Sequence, residues 1–326
     1  MAPFFSNHRP VIIDLFAGVG GLSLGAARAG FNVVAAVEND PQALQIHTLN
    51  FPSSLHLNRD VSTMTGGELL NLSRVAEGEL DGLIGGPPCQ GFSTIGLRDV
   101  GDERNELFGK FFQLVAESRP KFFLAENVPN ILSSEYGAIV SRALAFVEKD
   151  YFCLPAFTVK ANDYGAPTSR ERALFIGVRR DLHWQPSESD FAPEKDTLRV
   201  TVKHALKGLP RKINPQWLEE NQGLRKVEQP GDGEFGQLAS NPRHVPLGVG
   251  HPLALKELQE TGRAYGSLGT RHTSAVEQRY AALGFGKKDR VSKSVRLDPE
   301  GYCPTLRAGT SREKGSFQAV RPIHPT

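Results

Sequence analysis

The chain has 326 residues, of which 39% are hydrophobic and 23% are charged, so it can bury one large core or two unequal ones. Its formal net charge of +2 indicates little about its partners, and no apolar stretch has the length of a signal-peptide core or of a membrane span. We therefore expect a cytoplasmic protein with no membrane partner. The cysteines, Cys89, Cys153 and Cys303, lie too far apart for a zinc site or a disulfide framework, so we expect free thiols and no metal.

The N-terminal region begins with a strand, a turn and a helix. The apolar run 11–16 predicts a buried strand, and residues 22–29 predict a helix. Between them lies the glycine turn, residues 17–21. A second apolar run, 31–37, predicts the next strand. This order is typical of a βαβ unit that binds a nucleotide at its turn, although a tight connection without a ligand is the alternative interpretation.

An acidic residue ends the second predicted strand. Glu38 lies 24 positions after Asp14, about where such a unit places the carboxylate that binds ribose hydroxyls. Ser23 stands where the dinucleotide fingerprint has its third glycine, and no basic residue of this segment is placed to meet a pyrophosphate. The pattern therefore indicates a nucleoside-containing cofactor and argues against a nicotinamide or flavin dinucleotide.

A single cysteine follows a later strand. The stretch 81–93, DGLIGGPPCQGFS, starts as an apolar strand and then breaks into glycines and prolines. Pro87 and Pro88 fix their own φ angles and restrict the residues before them, so Cys89 has little conformational freedom. Rigid presentation at a strand end suits a nucleophile. A buried, inert cysteine is the alternative.

The alternation of strands and helices continues to about residue 178. Apolar runs at 80–84, 121–125 and 173–178 predict strands, and the segments 105–118 and 136–149 predict helices. We therefore expect an α/β fold with a mostly parallel sheet and helices on both faces. Because ligands bind at the carboxyl ends of such strands, residues placed there should meet in one crevice. These residues are Phe16, Glu38, Asp60, Cys89 and Glu126.

The region 194–293 is basic. It has 17 Lys or Arg residues against 11 Asp or Glu, an excess of six. Such a surface could face a polyanion. An ordinary solvated surface explains the same charge equally well.

Seven motifs occur in the order found in the DNA (cytosine-5)-methyltransferases, a family that the chain closely resembles. They are Asp14-Leu-Phe-Ala-Gly-Val-Gly-Gly21, Glu38-Asn-Asp40, Asp60, Gly86-Pro-Pro-Cys-Gln-Gly-Phe-Ser93, Glu126-Asn-Val128, Arg170-Glu-Arg172 and Cys303-Pro-Thr-Leu-Arg-Ala-Gly309. The resemblance implies the Rossmann-like sheet of an S-adenosylmethionine-dependent methyltransferase over 1–183. It also implies a second, smaller target-recognition domain over 184–326 that includes the Pro-Thr-Leu-Arg motif.

The resemblance implies transfer of a methyl group from S-adenosylmethionine to C5 of cytosine in duplex DNA, with S-adenosylhomocysteine as the other product. C5 is a poor nucleophile, so the ring must first be activated by addition of the Cys89 thiolate at C6. Glu126 would protonate or hydrogen-bond ring N3, and Arg172 would hold the 2-oxo group. Arg170 belongs to the same motif and to the same implied catalytic set.

The same resemblance assigns the cofactor-binding residues. Phe16 would pack against the adenine, and the turn from Gly18 to Gly21 would admit the methionine portion. Glu38 would take the ribose hydroxyls and Asp60 the adenine amine. The further implied positions are Ala17, Gly20, Asn39, Val61, Pro88 and Leu107.

The implied substrate is a base inside a stacked duplex, so the enzyme must flip that base out. The loop 93–105 would close over it, although a plain surface loop is the alternative. Residues 184–293 would read base edges in the major groove. The family also implies a bacterial restriction-modification setting, with a cognate restriction endonuclease as an expected partner.

Two features depart from the family pattern. Thr168 stands where the family usually has Gln, and the sequence ends at Thr326, before the Asn-x-Val motif that returns to the cofactor pocket. A truncated chain, a second subunit that supplies the motif, or a decayed copy would each explain this ending. Two alternatives to a self-sufficient enzyme therefore stay open. One is an inactive or split-subunit DNA-binding partner of a methyltransferase, and the other is an RNA cytosine-5 methyltransferase.

Overall fold

The computed structural model describes residues 9–88, 104–209, 223–227, 245–267, 273–292 and 295–305. The predicted nucleophile Cys89 and residues 93–103 of the predicted closing loop lie outside these ranges. Among the helices that fall inside them, none is long and apolar enough to cross a membrane.

The chain alternates strands and helices, as predicted. The strands are β1 (Val11–Leu15), β2 (Asn32–Glu38), β3 (Leu55–Asn58), β4 (Gly82–Gly85), β5 (Phe122–Asn127), β6 (Tyr151–Cys153), β7 (Phe157–Lys160), β8 (Glu171–Arg179), β9 (Arg225–Lys226) and β10 (Arg263–Ala264). The α-helices are α1 (Gly21–Arg28), α2 (Pro41–Asn50), α3 (Gly66–Leu72), α4 (Arg104–Ser118), α5 (Gly137–Leu144), α6 (Val202–Ala205), α7 (Pro252–Thr261) and α8 (Ser274–Ala281).

The strands β1 to β8 form one sheet in the order β3-β2-β1-β4-β5-β8-β6, and β7 pairs with β8. Neighbouring strands from β3 to β5 are parallel, whereas β8 runs antiparallel to β5 and β6. The predicted mostly parallel sheet is confirmed. Because the chain builds outward from β1 first in one direction and then in the other, the strand order reverses between β1 and β4, where such sheets bind ligands.

Helices cover both faces of the sheet because the strands bury apolar side chains on both sides. Ile13 and Leu15 of β1 point into a core that includes Phe111 of α4. Ile12 points to the opposite face, where Leu22 of α1 packs. The alternation along one strand thus assigns α1 to one face and α4 to the other.

The described residues form two compact units. The first is drawn from 1–159, 171–192 and 246–251 and holds the eight-stranded sheet. The second is drawn from 160–170, 193–245 and 252–326, and in it β9 pairs with β10 in antiparallel fashion. The predicted domain boundary between 183 and 184 stays a prediction.

Candidate active site

The predicted site residues of the first unit follow one another across the carboxyl edge of the sheet. Phe16 comes directly after β1, Glu38 is the last residue of β2, and Asp60 follows β3. On the other side of β1, Pro88 follows β4 and Glu126 lies near the end of β5. In strand order, the edge therefore carries predicted cofactor residues at the ends of β3, β2, β1 and β4, and the predicted catalytic residue Glu126 on β5.

The glycine turn has an unusual backbone. Phe16, Gly18 and Gly20 have φ angles of 57°, 55° and 100°, a region that costs a residue with a side chain free energy. The turn is held by hydrogen bonds from the Ala17 N–H to the Val37 carbonyl and from the Gly20 N–H to the Ala17 carbonyl. A strained aromatic residue at the end of a central strand is typical of a ligand site, where surrounding contacts hold the strain in place.

One side of the glycine turn is open. A methyl side chain on Gly18 or Gly21 would meet no atom of the described residues within 4 Å. In the same turn, Ala17 is buried and Phe16 is half-buried. The open side is therefore a cradle that added side chains would fill, as the predicted methionine portion requires.

Glu38 connects the glycine turn to β2. Its carboxylate accepts hydrogen bonds from the Gly18 N–H at 2.8 Å and from the Asp40 N–H at 2.9 Å. The Asn58 amide donates to the carbonyls of Glu38 and Asn39 and so holds the ends of β2 and β3 together. Glu38 is half-buried, and each carboxylate oxygen retains a lone pair that could accept from ribose hydroxyls.

The adenine end of the predicted site is less enclosed. Asp60 is exposed, and its carboxylate accepts from the Ser62 N–H at 2.9 Å, which caps a short helical turn. Val61 is buried in the core below it. Asn39 is exposed, whereas Pro88 and Leu107 are half-buried. These residues occupy the predicted edge, and their contact with a cofactor stays a prediction.

Glu126 and Arg172 form the catalytic end of the site. The Arg172 Nε lies 2.6 Å from Glu126 Oε1, and both side chains are about one-fifth exposed, at 18% and 20%. The antiparallel pairing of β5 with β8 places Glu126 opposite Leu174 and so brings Arg172 to the same edge. A methyl group on Gly86 would lie 3.4 Å from Glu126 Oε2, so the start of the cysteine loop passes directly beside this carboxylate.

Asn127 was not predicted as a site residue, yet it holds the segment that leads to Cys89. It is 1% exposed, and its amide donates to the Pro87 carbonyl at 3.3 Å. Its Oδ1 accepts from the Val128 N–H at 2.8 Å. A buried amide needs such partners, and an Asn inside an apolar strand was the available signal. The contact with Pro87 could not be read from the sequence because 40 positions separate the two residues.

Arg170 and Thr168 belong to the second unit. Arg170 lies one residue before β8, and its carbonyl accepts from the Ala161 N–H at 2.8 Å. Thr168 pairs with Cys303 as an isolated β-bridge, and the Cys303 carbonyl accepts from the Ser169 N–H at 2.9 Å. The structure therefore places the beginning of the Cys303-Pro-Thr-Leu-Arg motif beside the Thr168-Ser-Arg170 segment. Thr168, which stands where the family usually has Gln, therefore contacts Cys303 through its backbone.

A fully buried acid was also missed. Asp14 of β1 is 0% exposed, and burial raises its pKa to about 7. Hydrogen bonding from the Ser23 hydroxyl and backbone acts in the opposite direction, and the nearby Glu38 charge raises the pKa further. In the sequence, Asp14 is only the first residue of the glycine-turn motif, and the motif does not indicate that its carboxyl group is buried.

The sequence profile of the C-5 cytosine-specific DNA methylases matches residues 11–304. The chain belongs to this family. It is 36% identical over 321 residues to the type II methyltransferase M.XorII of Xanthomonas oryzae, covering 98% of this chain and 73% of that protein. It is 32% identical over 284 residues to M.DdeI of Desulfomicrobium norvegicum, where the match covers 85% of this chain and 61% of that protein.

Structural comparison agrees with the sequence match. A solved DNA modification methyltransferase encoded within a prophage (E. coli) superimposes on this methylase with a TM-score of 0.84 at 43% identity, covering 97% of this chain and 84% of that one. The predicted Rossmann-like methyltransferase fold and the predicted class of enzyme, a DNA cytosine-5 methyltransferase, are both confirmed. The assignments of individual site residues stay predictions.

Proposed function

We propose that this methylase transfers a methyl group from S-adenosylmethionine to C5 of a flipped cytosine in a specific duplex DNA site, through a covalent adduct between Cys89 and C6. The observation that supports this most directly is the pairing of Glu126 with Arg172 beside Gly86, at the edge where the cysteine loop begins. This is where a carboxyl group and a guanidinium could meet neighbouring atoms, N3 and the 2-oxo group, on one edge of the pyrimidine.

The chemistry assigns a separate task to each side chain. The Cys89 thiolate adds to C6 and places electron density in the ring, and Glu126 delivers or shares a proton at N3 to stabilise it. Arg172 donates hydrogen bonds to the 2-oxo group and, through its 2.6 Å contact, fixes the orientation of the Glu126 carboxyl. C5 would then take the methyl group, with S-adenosylhomocysteine as the other product. Loss of the C5 proton to a base, elimination of Cys89 from C6 and return of the N3 proton to Glu126 would restore the ring.

The cofactor fits the open side of the glycine turn. S-adenosylmethionine, when bound, supplies the electrophilic methyl group. The cradle beside Gly18 and Gly21 would hold its methionine portion, Glu38 its ribose hydroxyls and Asp60 its adenine amine. The partial positive charge at the start of α1 favours a carboxylate beside the turn, and the cofactor carries one.

The DNA partner is assigned by the family and by the basic middle region. Residues 184–293 would supply the side chains that read base edges, and Arg170 is proposed as a further member of the catalytic set. The matched relatives are named type II methyltransferases, which supports a restriction-modification role with a cognate endonuclease. A second subunit that supplies the Asn-x-Val motif is a further proposed partner.

The nucleophile can be tested against a matched cysteine. Purified wild-type chain should transfer labelled methyl from S-adenosylmethionine to mixed-sequence duplex DNA, and Cys89→Ser should abolish that transfer while duplex binding remains. Cys153→Ser is the control. Burial raises the pKa of the Cys153 thiol to about 11, so it is protonated at neutral pH and unsuited to attack.

Three results would be informative. Loss of transfer in Cys89→Ser, with full transfer in Cys153→Ser, supports the assignment. Unchanged turnover in Cys89→Ser would exclude Cys89 as the nucleophile. Duplex binding without any methyl transfer by the wild-type chain would favour the split or inactive DNA-binding partner.

A further inference from the structure

Four polar side chains form a buried row behind the glycine turn, here called the polar chain. Each comes from a different element: Asp14 from β1, Ser23 from α1, His47 from α2 and His56 from β3. The Ser23 hydroxyl lies 2.6 Å from Asp14 Oδ2 and 3.1 Å from His47 Nε2, and His47 Nδ1 lies 3.0 Å from His56 Nε2. Asp14, Ser23 and His47 are all 0% exposed.

With the Ser23 hydroxyl donating to Asp14, the donors and acceptors of the polar chain run in one direction. A hydroxyl carries one proton, and Asp14 Oδ2 accepts it, so Ser23 must accept from the His47 Nε2–H. His47 Nδ1 is then an acceptor, and His56 donates to it through Nε2–H. Both imidazoles are neutral in this arrangement. Burial and the neighbouring His56 lower the pKa of His47 to about 4, which agrees with a neutral ring.

The polar chain closes the back of the glycine turn. At Gly20, a methyl side chain would collide with the Phe51 ring and would lie 3.1 Å from His47 Cδ2. The two rings stack at 4.4 Å between centroids with 31° between their planes. The turn is therefore open on the side of Gly18 and Gly21 and walled by His47 and Phe51 on the other.

We propose that His47 is a positioning residue for S-adenosylmethionine, holding the glycine turn in the shape that binds the methionine portion. The inference deepens the proposed function and rests on its assignment of the cofactor to this turn. Hydrogen bonds at both ring nitrogens prevent the imidazole from rotating, so its Cδ2 edge stays against Gly20. Through Ser23, the same ring fixes the first turn of α1, which carries the N–H groups nearest the open side.

This role predicts a separation between binding and chemistry. Loss of the polar chain should weaken cofactor binding, because the turn has several positive φ angles and depends on its wall to retain them. The Glu126–Arg172 pair is carried by β5 and β8, on the other side of β1 and β4. The rate at saturating cofactor should therefore change little.

The experiment compares two buried serines. Ser23→Ala removes the hydroxyl that joins Asp14 to His47, whereas Ser54→Ala removes a hydroxyl that donates to the Val33 carbonyl at 2.6 Å, outside the polar chain. His47→Phe keeps a ring against Gly20 but removes both of its hydrogen bonds. We would measure the Kd of S-adenosylmethionine and of S-adenosylhomocysteine by calorimetry, together with KM and kcat. Losing one or two buried hydrogen bonds predicts a roughly fivefold to tenfold weaker Kd in Ser23→Ala and His47→Phe, with kcat kept.

Ser54→Ala should lose stability to a similar extent as Ser23→Ala but bind the cofactor like the wild type. Equal weakening in Ser23→Ala and Ser54→Ala would reduce the polar chain to a general stabilising feature and overturn the inference. If the wild type binds the cofactor tightly and both His47→Phe and Ser23→Ala bind it equally well, the inference is overturned while the proposed cofactor assignment stands. If the wild type binds neither molecule, the proposed cofactor assignment itself fails, and the inference fails with it.

Discussion

The amino ends and the carboxyl ends of the central strands use acidic side chains in different ways. At the amino ends, Asp81 precedes β4, is 2% exposed and accepts from the Val11 N–H and from Lys121 Nζ, each at 2.6 Å. Val11 begins β1, and Lys121 precedes β5. One buried carboxylate thus ties three neighbouring strands together, with one partner on each oxygen.

At the carboxyl ends, the acidic side chains are more accessible. Glu38 and Asp60 accept from backbone N–H groups in the contacts described, and Glu126 pairs with the Arg172 guanidinium while remaining one-fifth exposed. Such partners hold each carboxylate in place without surrounding it. The two edges therefore share one strand geometry but differ in burial: Asp81 is enclosed between three strands, whereas Glu38 and Asp60 remain accessible to a ligand.

The antiparallel strand β8 links both edges and offers the sharpest test. Arg172 pairs with Glu126 at the carboxyl edge, and Arg179 pairs with Asp181 near the opposite end at 2.7 Å. Glu126→Gln keeps an acceptor for Arg172 but removes the acid. We expect kcat for methyl transfer to fall by roughly 10²–10⁴, the usual contribution of a positioned acid, with little change in unfolding free energy.

Asp181→Asn is the matched control for Glu126→Gln. It also removes one carboxylate charge beside an arginine of β8, but Asp181 is 61% exposed and far along the strand. Methyl transfer should be unchanged in this variant, in a labelled-methyl assay under identical conditions. Comparable losses of kcat in both variants would mean that the charge on β8, and not the acid at N3, governs turnover.

Substitution of Asp81 at the amino edge should lower the free energy of unfolding and leave cofactor binding unchanged. Asp81→Ala leaves Lys121 and the Val11 N–H without their carboxylate, and breaking a buried ion pair in this way costs about 3 kcal/mol. Urea unfolding should show this loss, while KM for S-adenosylmethionine stays at the wild-type value where the protein is folded. Asp81→Asn, which keeps an acceptor for Val11, should lose less. A raised KM without lost stability would contradict the division of roles between the two edges.

Most of the fold could be predicted because local apolar runs determine it. The run 11–16 became β1 (Val11–Leu15), and the segment 105–118 became α4 (Arg104–Ser118). The predicted helix 136–149 is α5 (Gly137–Leu144), followed by turns, because the chain must change direction before β6 begins at Tyr151. The short strands β9 and β10 were not predicted, since two-residue strands carry no periodic pattern.

Contacts inside the site could be predicted only for residues that belong to a family motif. The edge positions of Glu38 and Glu126 followed from strand ends, but the polar chain draws on four elements, and its bonded pair Ser23 and His47 is 24 positions apart. His47 looked like an ordinary residue in a helix. Nothing in its neighbours along the chain indicates that its ring lies against Gly20, because that contact depends on how α2 packs behind the turn.

The last prediction concerns the pH dependence of stability and the buried Asp14. Burial raises the pKa of Asp14 from 3.8 to about 7, so between these values the folded state binds a proton that the unfolded state does not. This contribution to stability is complete below pH 3.8 and is lost as the pH rises through 7. Asp14→Asn removes it, so the unfolding free energy of the variant relative to the wild type should rise by about 1.4 kcal/mol per pH unit between pH 4 and 7.

His47→Phe should show the opposite pH dependence: its unfolding free energy relative to the wild type should fall as the pH rises. The reason is that the lowered pKa of His47 gives stability that is present above pH 6.5 and lost toward pH 4. Urea unfolding at pH 4.5, 5.5 and 6.5 measures both slopes, and a difference for Asp14→Asn that does not change with pH would show that Asp14 contributes no pH-dependent stability.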